Sequence, residues 1–376
     1  MGELRLRVPY GQDSRGGSWL CPVRLAWGLQ ANQTLSPVLE EKVCFTATMT
    51  PSFEKAAAVA AKWGSPVDDA TIHHHVAQAG ERAEAQAAAR VERALDIQTR
   101  AEVVAQAKAE APRGEFSLVL MLDGWMIRER GCQWGLKPPE IKAERVSWRE
   151  MKSAIVFRLD LRAATASGRP MILEKFYVAW RGDPEEIGRR LYAEALRRGL
   201  NQAFKVYVVA DGGVWIWNLV ADRFSEAAGV LDFYHASGHL WAVAQALFGE
   251  EGPQARAWVE PLLHQLAHGG EAGVLRTLED LLQLCQPLDE GRQKVIEREV
   301  AYFQSHREHV HYQVMEEAGC PKGSGAMEST CSQYQDRFKR TGQFWTLAGE
   351  HHLLALELAR RNQDWDEIWG VPYQQN

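Results

Sequence analysis

The chain is poor in cysteine: six in 376 residues, none in a Cys-x-x-Cys pair. That argues against a disulfide framework and against a zinc knuckle. Long apolar runs are missing too. None approaches the ~18 residues that a membrane span needs. The start, Met1-Gly2-Glu3-Leu4-Arg5, has no apolar stretch behind its charges and so is not a signal peptide. With 46% apolar and 24% charged residues, the chain is neither disordered nor fibrous. A cytoplasmic protein with free thiols and no membrane partner is expected, of two or three domains at ~150 residues each.

Charge is unevenly spread. The net charge of −6 argues, taken whole, against nucleic acid. Residues 126–206, however, carry 17 Lys/Arg against 10 Asp/Glu, and residues 212–320 carry 7 against 16. A basic block beside an acidic one is a patch, and polyanions respond to patches. Tryptophan is abundant, at 14 residues. Indoles fill cores, and they also stack on unpaired bases.

Punctuation divides the chain. Residues 1–34 are broken by Gly11, Gly16-Gly17 and Pro22, with one strand-like alternation at Arg5-Leu6-Arg7-Val8. Over 35–80 the start signals Ser36-Pro37, Thr50-Pro51 and Asp68-Asp69 predict three short helices, a helix-turn-helix pattern. Its third helix opens at Asp68–His75 and places Thr71 and His74 as DNA-contacting candidates. His73, His74 and His75 point ~100° apart, so they cannot share one metal and read as helix surface. Residues 81–112 predict one Ala-rich spacer helix, up to ~45 Å long.

The texture then changes. Phe116–Leu122 reads as a buried strand ending at Asp123-Gly124. Ser153–Leu161 and Met171–Ala179 flank a turn at Ser167–Pro170. Asp183-Pro184 opens a helix that Gly199 closes. Lys205–Ala210 is a second buried strand, ending at Asp211-Gly212, and a helical stretch then reaches Phe224. Val230–Tyr234 reads as a third strand. Residues 236–320 read as helical, and a last helix follows Gly323-Ser324-Gly325, with Ser324 as its cap.

Three acids stand out. Ligands of open α/β sheets gather at the carboxyl ends of strands, where Asp123 and Asp211 lie. Bare, two neighbouring carboxylates repel and one takes a proton. A divalent cation such as Mg²⁺ lets both stay ionised. Glu328 falls in the first turns of the helix after Gly325, with Arg337, Lys339 and Arg340 further along, ~14–18 Å away and suited to backbone phosphates. Taken singly, Asp-Gly is an ordinary turn and an acid at a helix start is ordinary too. Asp232, His235 and His239 could bind zinc, although the His-Glu-x-x-His pattern is absent.

In order, Asp123-Gly124, Ala210–Trp217, Leu231–Ala236 and Gly323–Ser329 resemble the motifs of DDE transposases of bacterial insertion sequences, the Kra-type group related to Mutator-like elements. The resemblance covers about 116–369. It implies an α/β fold: a ribonuclease-H-like catalytic core (113–235 and 321–376) with an all-helical insertion (236–320), preceded by the helix-turn-helix region. Asp123 and Asp211 are 88 residues apart, and Asp211 and Glu328 are 117 apart, room for that insertion. The resemblance makes Asp123, Asp211 and Glu328 the catalytic, metal-holding acids. Asp232 and His235 match its Asp-x-x-His motif, whose role the residues do not give. It further implies two Mg²⁺ or Mn²⁺ ions, cleavage and strand transfer, double-stranded DNA (element ends and target) as partner, and a homo-oligomer assembled on DNA. It also implies more sequence ahead of Gly2. A nuclease of the same fold that does not join strands, and a repurposed transposase that only binds DNA, remain open.

Overall fold

Sequence broken by glycine gives short elements at the start. The computed structural model describes residues 9–12, 19–26, 35–112, 114–135, 145–168, 170–249, 252–284 and 289–369. Ahead of position 35 it holds β1 (Gly11–Gln12), antiparallel to β2 (Trp19–Leu20), and one short helix, α1 (Pro22–Ala26). The expected strand at Arg5–Val8 lies outside the described residues.

Capping residues place the next helices. The Ser36 side chain accepts from the Leu39 amide at 3.3 Å and Pro37 opens α2 (Pro37–Met49). The second start signal is misplaced by the sequence reading. Thr50 closes α2, and Ser52, accepting from the Lys55 amide at 3.2 Å, caps α3 (Phe53–Lys62). Asp68 accepts from the Thr71 amide at 2.8 Å ahead of α4 (Asp69–Leu95). The helix runs on through residue 80, since nothing there breaks it. The spacer is therefore not a separate single helix. Asp96 accepts from the amides of Gln98 and Thr99, and this turn separates α4 from α5 (Arg100–Glu110).

The core sheet has the order β7-β4-β3-β8-β9. Its strands are β3 (Ser117–Arg130), β4 (Val146–Arg158), β7 (Phe176–Trp180), β8 (Lys205–Ala210) and β9 (Ala228–Leu231). Beyond β4 the hairpin ends in a small ladder, β5 (Arg162–Ala164) with β6 (Pro170–Ile172). Counting only core strands, the order is 3-2-1-4-5, with β4 antiparallel to β7 and β3, β8 and β9 parallel. A mixed sheet of this kind is compatible with a ribonuclease-H-like core. Between the strands lie α6 (Pro184–Arg197), capped by Asp183 and followed by Gly199 at φ +90°, and α7 (Val214–Arg223).

After β9 the chain is helical: α8 (Phe233–Phe248), α9 (Pro253–Ala267), α10 (Glu271–Leu284), α11 (Glu290–Ser305), a 3₁₀ turn at Arg307–His309 and α12 (Tyr312–Glu317). Then come α13 (Gly325–Phe338), α14 (Leu347–Arg361) and α15 (Trp365–Trp369). Part of the loop expected at Pro287–Gly291 lies outside the described residues. Among the described residues no helix is long and apolar enough to cross a membrane.

Two compact units divide the chain. Residues 1–90, 126–149 and 333–376 form one. Its core includes Val43, Cys44, Ala47, Ala60, Ile72, Leu353 and Leu356, all fully buried. At Gly80 a Cβ would stand 2.3 Å from the His352 carbonyl oxygen, so only glycine admits that approach of α4 to α14. Residues 91–125 and 150–332 form the other. Leu118, Leu120 and Leu122 of β3 pack with Val208 of β8, Ile187 and Leu191 of α6, and Ile216 of α7. Each such buried side chain contributes about 1.5–3 kcal/mol.

Candidate active site

Strand register brings two of the three acids together. β3 and β8 run parallel, and their last paired residues are Leu122 and Ala210. Asp123 and Asp211 come next on each strand, side by side. The sequence reading ends β3 at Asp123, but the strand continues to Arg130. What stops at Leu122 is its pairing with β8, because β8 ends at Ala210.

Both aspartates are half-buried and anchored locally. Asp123 accepts from the Gly124 amide at 2.6 Å, and Asp211 from the Gly213 amide at 2.9 Å, where α7 begins. The Trp217 indole donates to the Asp211 carbonyl at 2.8 Å. Burial pushes the Asp123 carboxyl up to about 6; the Gly124 amide opposes it, the charge of Asp211 adds to it, and Cys331 and His235 oppose it weakly. The Cys331 thiol hydrogen-bonds this carboxylate and is held protonated by burial first and by the charges of Asp123 and Glu328 next.

Glu328 is less tightly held. It lies in the first turn of α13, exposed, one turn before Cys331. Among the described residues no three His, Cys, Asp or Glu side chains are grouped so as to hold a metal ion. The Asp123–Asp211 pair fits a divalent cation: its donors are carboxylate oxygens, and Asp123 is driven towards protonation by burial first and by the charge of Asp211 in addition. As placed, Glu328 does not complete that donor set.

Asp232 is not a strand end, and both its oxygens are taken up by hydrogen bonds. β9 stops at Leu231, and Asp232 caps α8, accepting from the amides of Tyr234 at 2.7 Å and His235 at 3.0 Å. Its other oxygen accepts from the Ser324 amide and, at 2.7 Å, from the Ser324 hydroxyl. Beside it the Phe233 amide donates to the Lys322 carbonyl at 3.0 Å. One fully buried carboxylate thus clasps the two ends of the 236–320 excursion and sets the start of α13. The Ser324 hydroxyl, expected as a helix cap and placed just ahead of α13, donates to this clasp. His235 is exposed and acts electrostatically on Asp123. His239 is bonded through Nδ1 to Glu299, which is buried.

Sequence reasoning missed a second contributor. Tyr302 of α11 lies against Gly212, where a Cβ would stand 2.3 Å from its ring, and its ring stacks on His239 at 3.6 Å. No spacing in the chain links position 302 to position 212. Only the packing of the excursion against the strand end does.

Of the basic residues expected on α13, Arg337 is buried. Its Nε donates to the Ala47 carbonyl at 3.1 Å and its Nη1 to the Pro51 carbonyl at 3.4 Å, and burial brings it down to about 10. It is therefore not available to phosphate. Lys339 and Arg340 lie just past the helix end at Phe338, Lys339 half-buried and Arg340 exposed. In the helix-turn-helix region, His73 and His74 are exposed, but His75 is buried 3.5 Å from Glu40, which corrects the reading of all three as surface. The Thr71 hydroxyl is committed to Asp68 at 2.7 Å.

The model of an uncharacterised protein family, UPF0236, matches residues 193–368. No curated protein matches the chain. Among solved structures, the chain is similar to the Drosophila P element transposase strand transfer complex, with 10% identity and a TM-score of 0.36, over 92% of this chain and 96% of that one.

Proposed function

We propose that the protein is a DDE-type transposase, a polynucleotidyl transferase that cuts DNA strands at the ends of an insertion sequence and joins them to target DNA. The observation that carries this reading is the register Leu122–Ala210, which sets Asp123 beside Asp211 with the Asp123 carboxyl raised to about 6. Two acids held against their own repulsion are suited to a cation site. Asp123 and Asp211 would hold Mg²⁺ or Mn²⁺, with Glu328 as third ligand. Bound there, the metal would activate the attacking oxygen and neutralise charge on the leaving one. The protein's own part is positional. The Asp232 clasp fixes the start of the helix that bears Glu328, Cys331 orients Asp123 from the same helix, and Gly212 lets Tyr302 close over the strand end. Exposed residues of α3 and α4, His74 among them, are proposed to contact double-stranded DNA as a helix-turn-helix, and the active species is proposed to be a homo-oligomer on DNA.

A second reading, a protein that binds DNA without cutting it, is favoured by one observation: Glu328 does not close the donor set. A strand-transfer assay with Mg²⁺ or Mn²⁺, on DNA carrying the sequences on either side of the gene, separates the readings. Cleaved and joined products support the transposase. Cleavage without joining identifies a nuclease, and binding with neither identifies the second reading.

A further inference from the structure

A chain of rings and cations runs across one surface of the unit formed by residues 1–90, 126–149 and 333–376. Strand alternation places Arg128 and Arg130 on one face of β3. Arg128 lies 5.8 Å from the Trp148 ring centre and 5.1 Å from that of Phe344. Phe344 meets Trp134 with centroids 4.8 Å apart, and Arg130 lies 5.4 Å from the Trp134 ring. Lys339 stands 5.3 Å from the same Trp148 ring. These rings are not core: Trp148 is 51% exposed and Trp134 40%. The exposed Arg340 adjoins them in the chain, and its carbonyl accepts from Arg128. Arg149 is exposed near Glu129, 3.9 Å away, which is itself mostly covered.

We infer that this surface binds single-stranded DNA, with an unpaired base stacked on Trp148 and the adjoining phosphates held by Arg130, Lys339 and Arg340. The chemistry fits an unpaired strand, and the choice of DNA rests on the function proposed above. An exposed indole offers a flat apolar face that any base can cover, and stacking there is tolerant of sequence. Cations beside the ring match the phosphates that flank each base. Duplex DNA presents its phosphates but keeps its bases stacked inside. Arg128 is the link: it stiffens the row by contacting both Trp148 and Phe344 and by bonding the backbone of the 340 turn. The inference deepens the polynucleotide reading above and rests on it, but needs no cleavage chemistry.

The test uses the full chain in EDTA, where no metal-dependent reaction runs. Binding of a labelled 15-nucleotide oligothymidylate, the same length of duplex and an oligouridylate is measured by anisotropy across a salt series. The parent is expected to bind the oligothymidylate more tightly than the duplex. Trp148→Ala should weaken it about tenfold with an unchanged salt slope, because a base contact is lost and no phosphate contact is. Trp148→Phe should restore most of the loss. Trp148 is exposed, so the melting temperature of both variants should match the parent. Equal oligothymidylate affinity in the parent and Trp148→Ala overturns the inference, and so does tighter binding of duplex or of oligouridylate. A parent that binds no nucleic acid at all defeats the polynucleotide reading as well. Binding lost on Trp148→Ala, with strand transfer absent in the presence of metal, keeps this inference and defeats the transposase.

Discussion

Asp123, within β3, and Asp232, just after β9, belong to one sheet with β8 between them, and they are treated in opposite ways. Asp232 is fully buried and each of its oxygens accepts two hydrogen bonds, from Tyr234 and His235 on one side and Ser324 on the other. Asp123 is more open, yet it has one amide, one thiol and a second carboxylate facing it. Deeper burial does not by itself make a carboxylate reactive. What matters is whether its lone pairs are already taken. A saturated carboxylate is architecture, while one left opposite another carboxylate has capacity in reserve for a cation.

The largest expected effect breaks the comparison on the reactive side. Asp123→Asn and Asp211→Asn should each lower metal-dependent cleavage at least about a thousandfold, roughly 4 kcal/mol of barrier, with circular dichroism unchanged. Full cleavage by either variant would remove that residue from the site. Glu328→Gln belongs to the same series and decides whether the exposed glutamate completes the donor set in solution.

Next comes the architectural side. Asp232→Ala leaves the Ser324 amide and the first amides of α8 without their acceptor in a buried place. It should cost about 3 kcal/mol in urea unfolding. A loss under 0.5 kcal/mol would mean that the clasp does not hold the excursion's ends.

A smaller effect separates the two aspartates by pH. Asp123 has an ordinary value of 3.8 and stands near 6 in the fold. A raised carboxyl favours the protonated, folded form, so its contribution is fully present below about 3.8 and is lost as pH rises to about 6. Asp123→Asn should therefore match the parent in stability near pH 3.8 and exceed it above pH 6, by up to about 3 kcal/mol before solvent screening reduces it. A constant difference across that window would show that the Asp123 carboxyl is not raised, and adding Mg²⁺ to the parent should shrink the gap.

Much of this was legible wherever chemistry is local. Ser36, Asp68 and Asp183 announce helix starts, and Lys205–Ala210 reads as a strand with its observed ends. The Asp-Gly pairs mark the place where β3 and β8 part. Local signals failed where a residue's partner lies far along the chain. Asp232 looks like a strand end until Ser324, 92 positions on, is seen to satisfy it. Arg337 shares a charged stretch with Lys339 and Arg340, and only the carbonyls of Ala47 and Pro51, nearly 300 positions away, show it to be interior. Tyr302 has no motif at all.

That division among the three basic residues yields the smallest predicted effect. Read from sequence, the cluster offers three phosphate contacts. In the fold, Arg337 is committed to backbone carbonyls and only Lys339 and Arg340 can reach DNA. Replacing Lys339 and Arg340 together with Ala should lower the slope of log affinity against log salt by about 2, nearly one unit per contact. Neither forms a buried ion pair, so stability should stay within about 0.5 kcal/mol. Arg337→Ala should do the reverse. Two carbonyl hydrogen bonds and the packing of a buried guanidinium are lost, at a cost of about 2 kcal/mol, while the salt slope of whatever remains folded is unchanged. A slope that falls in Arg337→Ala as much as in the double variant would put its guanidinium on DNA and the structural assignment of this residue would fall.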